Sequence, residues 1–385
     1  MTGTDPTRIA ELIQWLVNGA PGAPRAEIVV SEVCERMTAA GIPLERVAVF
    51  VRTLHPSIIG VSFIWRPGKP VEMHRAPRTV IDDPEYLASP LRPAFDEGKG
   101  LRRRLADPNC PRDFDILKDF DAEGITDYVV SPLRFLSGEN HVVTWTTKAP
   151  GGFSDAQAAA LDAVVPPLAR LAEIYMLRRT ATNLLNVYVG HDAGERILQG
   201  HIQRGDTTTL EAAIWLSDLR GFTGLSGRLS PPDLIQLLNT TFDAQVPAIE
   251  THGGQVLKFM GDGLLAIFPV TTGAEAACTA ALEAAEQALA ACAVLEAADA
   301  PIRIGVGLHV GPLSYGNVGS EMRLDFTCIG PAVNLAARLQ GLAAAEGWPL
   351  ALSEAFASML PGTPRLLGRF QLKGLPEAVP AFAPV

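Results

Sequence analysis

Residues 215–223, Trp215-Leu216-Ser217-Asp218-Leu219-Arg220-Gly221-Phe222-Thr223, end an apolar run on an acid and then turn through a glycine. The run from Ala212 to Leu216 reads as a buried strand, and the turn leads toward a helix. A carboxylate at such a strand end can hold a hard cation while the backbone N–H groups that follow face phosphate. Taken alone, Asp218 reads as an acid that satisfies a turn. What it does depends on the segments that follow it.

Working toward the C-terminus, a helix is expected over Pro231 to Thr251 and a hairpin over Gln255 to Phe268. The hairpin contains Lys258-Phe259-Met260-Gly261-Asp262-Gly263, with Asp262-Gly263 expected at its turn. An Ala-rich helix follows, then strands at Ile302 to Val310 and Asp325 to Ile329, a helix from Pro331 to Ala345 and a strand near Leu350. This mixed order predicts an α+β sheet with helices on one face. Asp218 and Asp262 on adjacent strand ends suit two divalent ions, the arrangement that activates an attacking oxygen and stabilises a leaving one in phosphoryl chemistry. In Asp325-Phe326-Thr327-Cys328-Ile329-Gly330-Pro331-Ala332-Val333-Asn334-Leu335-Ala336-Ala337-Arg338, a strand passes through Gly-Pro into a helix. Asn334 and Arg338, four apart, share one face of that helix, a placement equally open to a site and to plain solvation.

In this order the three segments resemble the catalytic domain of class III adenylyl and guanylyl cyclases, with its D-x-x-G-F-T, K-x-x-G-D and V-N-x-A-x-R motifs. The resemblance covers 207–385 and implies a ferredoxin-like, palm-type domain. It implies Asp218, Leu219 and Asp262 as metal-holding residues for two Mg²⁺ or Mn²⁺ ions. Phe222 and Thr223 would lie at the substrate, Asn334 would orient the ribose, Arg338 would stabilise charge on the reacting phosphate, and Lys373 would touch the triphosphate. The family reads the base at the positions held here by Lys258 and Thr327. A donor-only ammonium suits the N1 acceptor of adenine, whereas guanine N1–H needs an acceptor. Lys258 therefore favours ATP, and the Thr327 hydroxyl can accept from the adenine N6 amino group. The Lys/Thr pair resembles the subclass that includes bicarbonate-responsive cyclases, which makes bicarbonate a candidate regulator. The family divides each active site between two catalytic domains. All the implied residues occur in this one chain, so a symmetric homodimer is expected. A guanylyl cyclase and a catalytically silent nucleotide-binding module are the competing readings.

Upstream, the chain reads as a separate region. A helix is expected from Thr7 to Val17, strands at Arg46 to Val51, Ile59 to Trp65, Asp127 to Pro132 and Asn140 to Thr147, and a loop-rich stretch from Arg66 to Asp119. Ser154 and Gln157 have the spacing of a capping box that opens a long helix. Residues 128–171 resemble the end of a GAF-type sensor domain, and an unrelated α+β dimerisation domain reads the same residues equally well. The boundaries are placed at 1–178 for this domain and 179–206 for a helical connector. Ile174, Leu177, Ala181, Leu184 and Tyr188 follow the steps of a two-helix seam, which fits a dimeric coiled coil or a helix lying on its own domain.

Bulk properties narrow the classes. With 385 residues, 48% hydrophobic and 19% charged, the chain suits two domains that fold on apolar cores. A formal charge of −10 argues against phosphate-backbone binding and so against a nucleic-acid partner. Five cysteines without a C-x-x-C pair read as reduced thiols. Glu275, Glu283, Glu286 and Glu296 interrupt the Ala-rich stretch, so no membrane span is expected and a cytoplasmic location is.

Overall fold

The computed structural model describes residues 3–297 and 300–384 and divides into two compact units, Met1–Leu184 and Leu185–Val385. In the first, α1 (Pro6–Val17) and α2 (Ala26–Ala39) precede β1 (Arg46–Arg52), β2 (Ile58–Trp65) and β3 (Glu72–Pro77). Then come α3 (Pro84–Leu87), α4 (Leu91–Glu97), β4 (Leu101–Arg103), α5 (Ile116–Glu123), β5 (Asp127–Arg134) and β6 (Asn140–Thr147). The strands form one antiparallel sheet in the order β3-β2-β1-β6-β5-β4. The stretch from Arg66 to Asp119, expected as loop, therefore contributes an edge strand at each side of this sheet and a small helical layer. Its Pro and Arg content hid elements too short for a periodic signal.

One face of this sheet packs Val47, Val49, Phe63 and Trp145 against α1, α2 and the helix α6 (Asp155–Val189). The other packs Tyr128, Val130 and Val142 against Phe95, Leu117 and Phe120 of the short helices. The capping box that opens α6 is present. Gln157 N–H donates to Ser154 Oγ at 3.3 Å, and Ser154 N–H donates to Gln157 Oε1 at 2.9 Å. The fully buried Asp127 carboxylate is held by the Arg102 guanidinium at 2.7 Å and the Phe153 amide at 3.0 Å.

The second unit starts with the end of α6 and α7 (His191–Leu198) and continues through β7 (Thr207–Leu219), α8 (Phe222–Ser226), α9 (Pro231–Thr251), β8 (Gln255–Met260), β9 (Gly263–Pro269) and α10 (Ala274–Ala293). A short ribbon of β10 (Glu296–Ala297) and β11 (Ala300–Pro301) precedes β12 (Ile304–Ser320), β13 (Arg323–Ile329), α11 (Pro331–Glu346), β14 (Leu350–Ser353), α12 (Glu354–Ala357), β15 (Arg365–Phe370) and β16 (Val379–Ala383). The sheet core runs β12-β7-β9-β8, all neighbours antiparallel. With β7, β8, β9 and β12 taken as strands 1 to 4, this is the 4-1-3-2 order of a ferredoxin-like fold. β14 adds in parallel beside β12, and β13 pairs with its far end.

Both faces of this sheet are covered. Ala213, Trp215, Leu264, Ala266 and Phe268 point to α9 and α10. Ala212, Ile214, Leu216, Leu265 and Ile267 point the other way, toward Ala332 and Ala336 of α11. The expectation of helices on one face is thus corrected, and glycine explains the difference. A Cβ on Gly307 would lie 2.6 Å from the Ala336 carbonyl oxygen and collide with the Gln340 amide, so a bare strand surface lets the α11 backbone lie directly on β12. The expected strand Ile302 to Val310 runs on to Ser320 and forms a hairpin with β13, because Gly311, Gly316 and Gly319 weaken its alternation in sequence.

Candidate active site

Asp218 occupies the end of β7 on the face shared with Ile214 and Leu216, paired across the ladder with Gly305. Asp262 lies in the connection between β8 and β9. Because Met260 pairs with Gly263, the two turn residues are Gly261 and Asp262, one place earlier than the expected Asp262-Gly263. Gly261 takes φ 69°, so the glycine leads the turn and the acid follows it. β9 is the direct neighbour of β7, and this brings the two carboxylates together. Burial pushes the Asp218 carboxyl up to about 7, and the hydrogen bond and negative charge of Asp262 add to this; the Leu219 amide and the Arg220 charge pull the other way.

Two neighbouring acids in a partly desolvated place form an oxygen-donor set for a hard divalent cation. No group of three or more His, Cys, Asp or Glu that could hold a metal ion occurs among the described residues. Two carboxylates suit an ion that keeps water or substrate oxygens in its remaining positions, as Mg²⁺ does. The Leu219 side chain is buried, which leaves its backbone carbonyl as the group it can offer. Phe222 and Thr223 open the short helix α8 behind Gly221, at φ 73°. Phe222 packs toward the α9/α10 core, and Thr223 is exposed.

Lys258, on β8, ion-pairs through its ammonium with Asp325 on β13. The hydrogen bond and charge of Lys258 hold the Asp325 carboxyl below the usual carboxylate range. Asp325 and Thr327, two apart on one strand, share a face, so the expected base-reading pair gains a third polar group. Asn334 and Arg338 are exposed on α11, one turn apart, and among the described residues neither side chain makes a hydrogen bond or ion pair. Lys373 is exposed, also without an ion-pair partner among the described residues. The chain therefore unites Asp218 with Asp262 and Lys258 with Asp325, and among the described residues leaves the side chains of Asn334, Arg338 and Lys373 without hydrogen-bond or ion-pair partners.

Sequence reasoning missed three contributors. Asp325 stood inside the quoted motif, but only the hairpin partnership of β13 shows it reaching Lys258. Arg220 donates to the Trp348 carbonyl, and its guanidinium fills the space a Cβ on Gly305 would need. It thereby ties the chain just after Asp218 to the loop before β14. The segment before β7 is a third. The Asn317 side-chain amide donates to the His201 carbonyl at 2.9 Å, and Arg196 lies 5.4 Å from the centre of the Tyr315 ring. Tyr315 and Asn317 pair with Cys328 and Phe326, so these contacts hold β12 just where it supports the strand of Asp325 and Thr327.

Residues 206–374 match the model of the adenylate and guanylate cyclase catalytic domain. These residues belong to that family. The cyclase domain is 32% identical over 151 residues to the adenylate cyclase, terminal-differentiation specific, of Dictyostelium discoideum, across 37% of this chain and 7% of that protein. It is likewise 32% identical over 151 residues to adenylate cyclase 1 of Rhizobium meliloti, across 38% of this chain and 23% of that protein. The chain thus spans less than a quarter of the length of these two relatives. Among solved structures, the adenylyl cyclase CyaB from P. aeruginosa aligns at 27% identity and a TM-score of 0.41, covering 46% of this chain and 95% of that one. The family uses divalent metals, in keeping with the cyclase domain's paired acids. No helix among the described residues is long and apolar enough to cross a membrane.

Proposed function

We propose that the chain is an adenylate cyclase, cytoplasmic, that forms 3′,5′-cyclic AMP and pyrophosphate from ATP at sites built by a homodimer. The observation that carries this reading is the meeting of Asp218 and Asp262, where burial first, and then the hydrogen bond and charge of Asp262, raise Asp218. Two Mg²⁺ or Mn²⁺ ions held by Asp218, Asp262 and the Leu219 carbonyl would supply activation of the ribose 3′-hydroxyl and charge neutralisation at the triphosphate. Amides at the start of α8, beside Phe222 and Thr223, would meet the phosphates. Lys258 donates to adenine N1. Thr327 and Asp325 offer acceptors for the N6 amino group. Asn334 orients the ribose, Arg338 stabilises charge on the α-phosphate, and Lys373 meets the triphosphate.

The free state of Asn334 and Arg338 supports completion of each site by a second copy, which would bring them to the partner's acids. Exposed Phe259, Met260 and Ile329 on β8 and β13 supply an apolar border for such a contact. The first unit is read as a GAF-like regulatory domain, 1–178, joined through 179–206, and the Lys258/Thr327 pair of the second unit makes bicarbonate a candidate regulator. Product analysis of purified protein given ATP or GTP with each metal tests the assignment. Cyclic AMP in excess supports it, cyclic GMP in excess replaces it with a guanylate cyclase, and no turnover with either leaves a nucleotide-binding module.

A further inference from the structure

The first unit contains a cavity of about 450 Å³ between α2, the sheet and α6, within the 300–1,000 Å³ span of small-molecule sites. Its inner wall is made by buried Val29, Val49, Val61, Phe63 and Leu168, together with half-buried Met176. Its outer part is formed by Arg25, Arg178 and Arg179, with Glu27 the one acid among the lining residues. None of these three guanidiniums has a carboxylate partner among the described residues, although most other arginines of this unit do. Arg25 and Arg178 are exposed, and α2 begins beside Arg25 without a side-chain cap.

An apolar chamber lined by branched side chains selects for hydrocarbon. Unpaired guanidiniums at its outer end select for a planar anion, which they bind through paired N–H donors. We propose that this cavity binds an amphipathic carboxylate, its aliphatic tail inside and its head group at Arg25, Arg178 and Arg179. Two of the three arginines stand on α6, so an occupant would link α2 and the sheet to the helix that leaves the unit.

Calorimetric titration of the full chain with decanoate below its micellar concentration tests this without any measure of turnover, and decylammonium provides the same tail with the opposite charge. Saturable binding of one decanoate per chain is expected, with decylammonium weaker by about tenfold or more, as the loss of charge-assisted hydrogen bonds implies. Arg178→Ala/Arg179→Ala, at surface positions that leave the core intact, should weaken decanoate by a similar factor and bring the two probes toward equal affinity. Ala172→Trp, which fills the cavity, should abolish decanoate binding. Absence of saturable decanoate binding, equal affinity of the two probes for the unaltered chain, or unchanged decanoate affinity in the double arginine variant would each overturn the proposal.

Discussion

Asp262→Ala and Arg338→Ala are expected to be inactive separately and partly active together. Asp218 and Asp262 meet inside one chain, while Arg338 stands exposed on α11 without a partner among the described residues. If a second copy supplies Arg338 to the acids of the first, each pure variant forms dimers in which both sites are broken. Removing a group that stabilises transition-state charge should cost about 10²–10³ in kcat. In a mixed dimer both defects fall in the same site, so the other site retains both acids and the arginine. Random exchange at equal concentrations makes half of all dimers mixed, each with one working site of two, and turnover should return to about one quarter of the unaltered enzyme. The assay is cyclic AMP formation from ATP across a series of mixing ratios, with the activity maximum at equal amounts. Subunit exchange is checked independently by native mass spectrometry. If exchange occurs and the mixture stays as inactive as its parts, the shared-site reasoning is wrong.

Three further outcomes follow from the geometry. Because Asp218 is raised to about 7, cation binding must displace a proton below that pH, so affinity falls as pH drops. Mn²⁺ titration by calorimetry should show about tenfold weaker binding at pH 6 than at pH 8, and equal affinity would contradict the raised Asp218 carboxyl. Gly307→Ala places a methyl 2.6 Å from the Ala336 carbonyl and should push α11 off β12, lowering stability by about 1–3 kcal/mol in urea melts and reducing cyclic AMP formation through Asn334 and Arg338. Asp127→Ala leaves the Arg102 guanidinium and the Phe153 amide without their buried acceptor and should cost the first unit about 3–5 kcal/mol, read as a lower denaturation midpoint.

By itself the sequence determined local elements of both units and which residue types are available to the candidate site of the second. Alternation and capping carried β6, α9 and the opening of α6 because each is a local property of the chain, set by side-chain period or by a bond over three residues. The three motifs named Asp218, Asp262, Lys258, Asn334 and Arg338 because residue type and spacing limit what each can bind or donate. Tertiary structure decided which of them meet. Asp218 and Asp262 are joined by the pairing of β7 with β9, and Lys258 finds Asp325 across 67 positions of chain because β13 folds back beside β8. The placement of α11 on the second face of the sheet was equally hidden, since a glycine records only missing bulk and not the helix that will use it. The cavity with its three arginines arises from segments more than a hundred residues apart, and no local pattern in the chain encodes an enclosed volume.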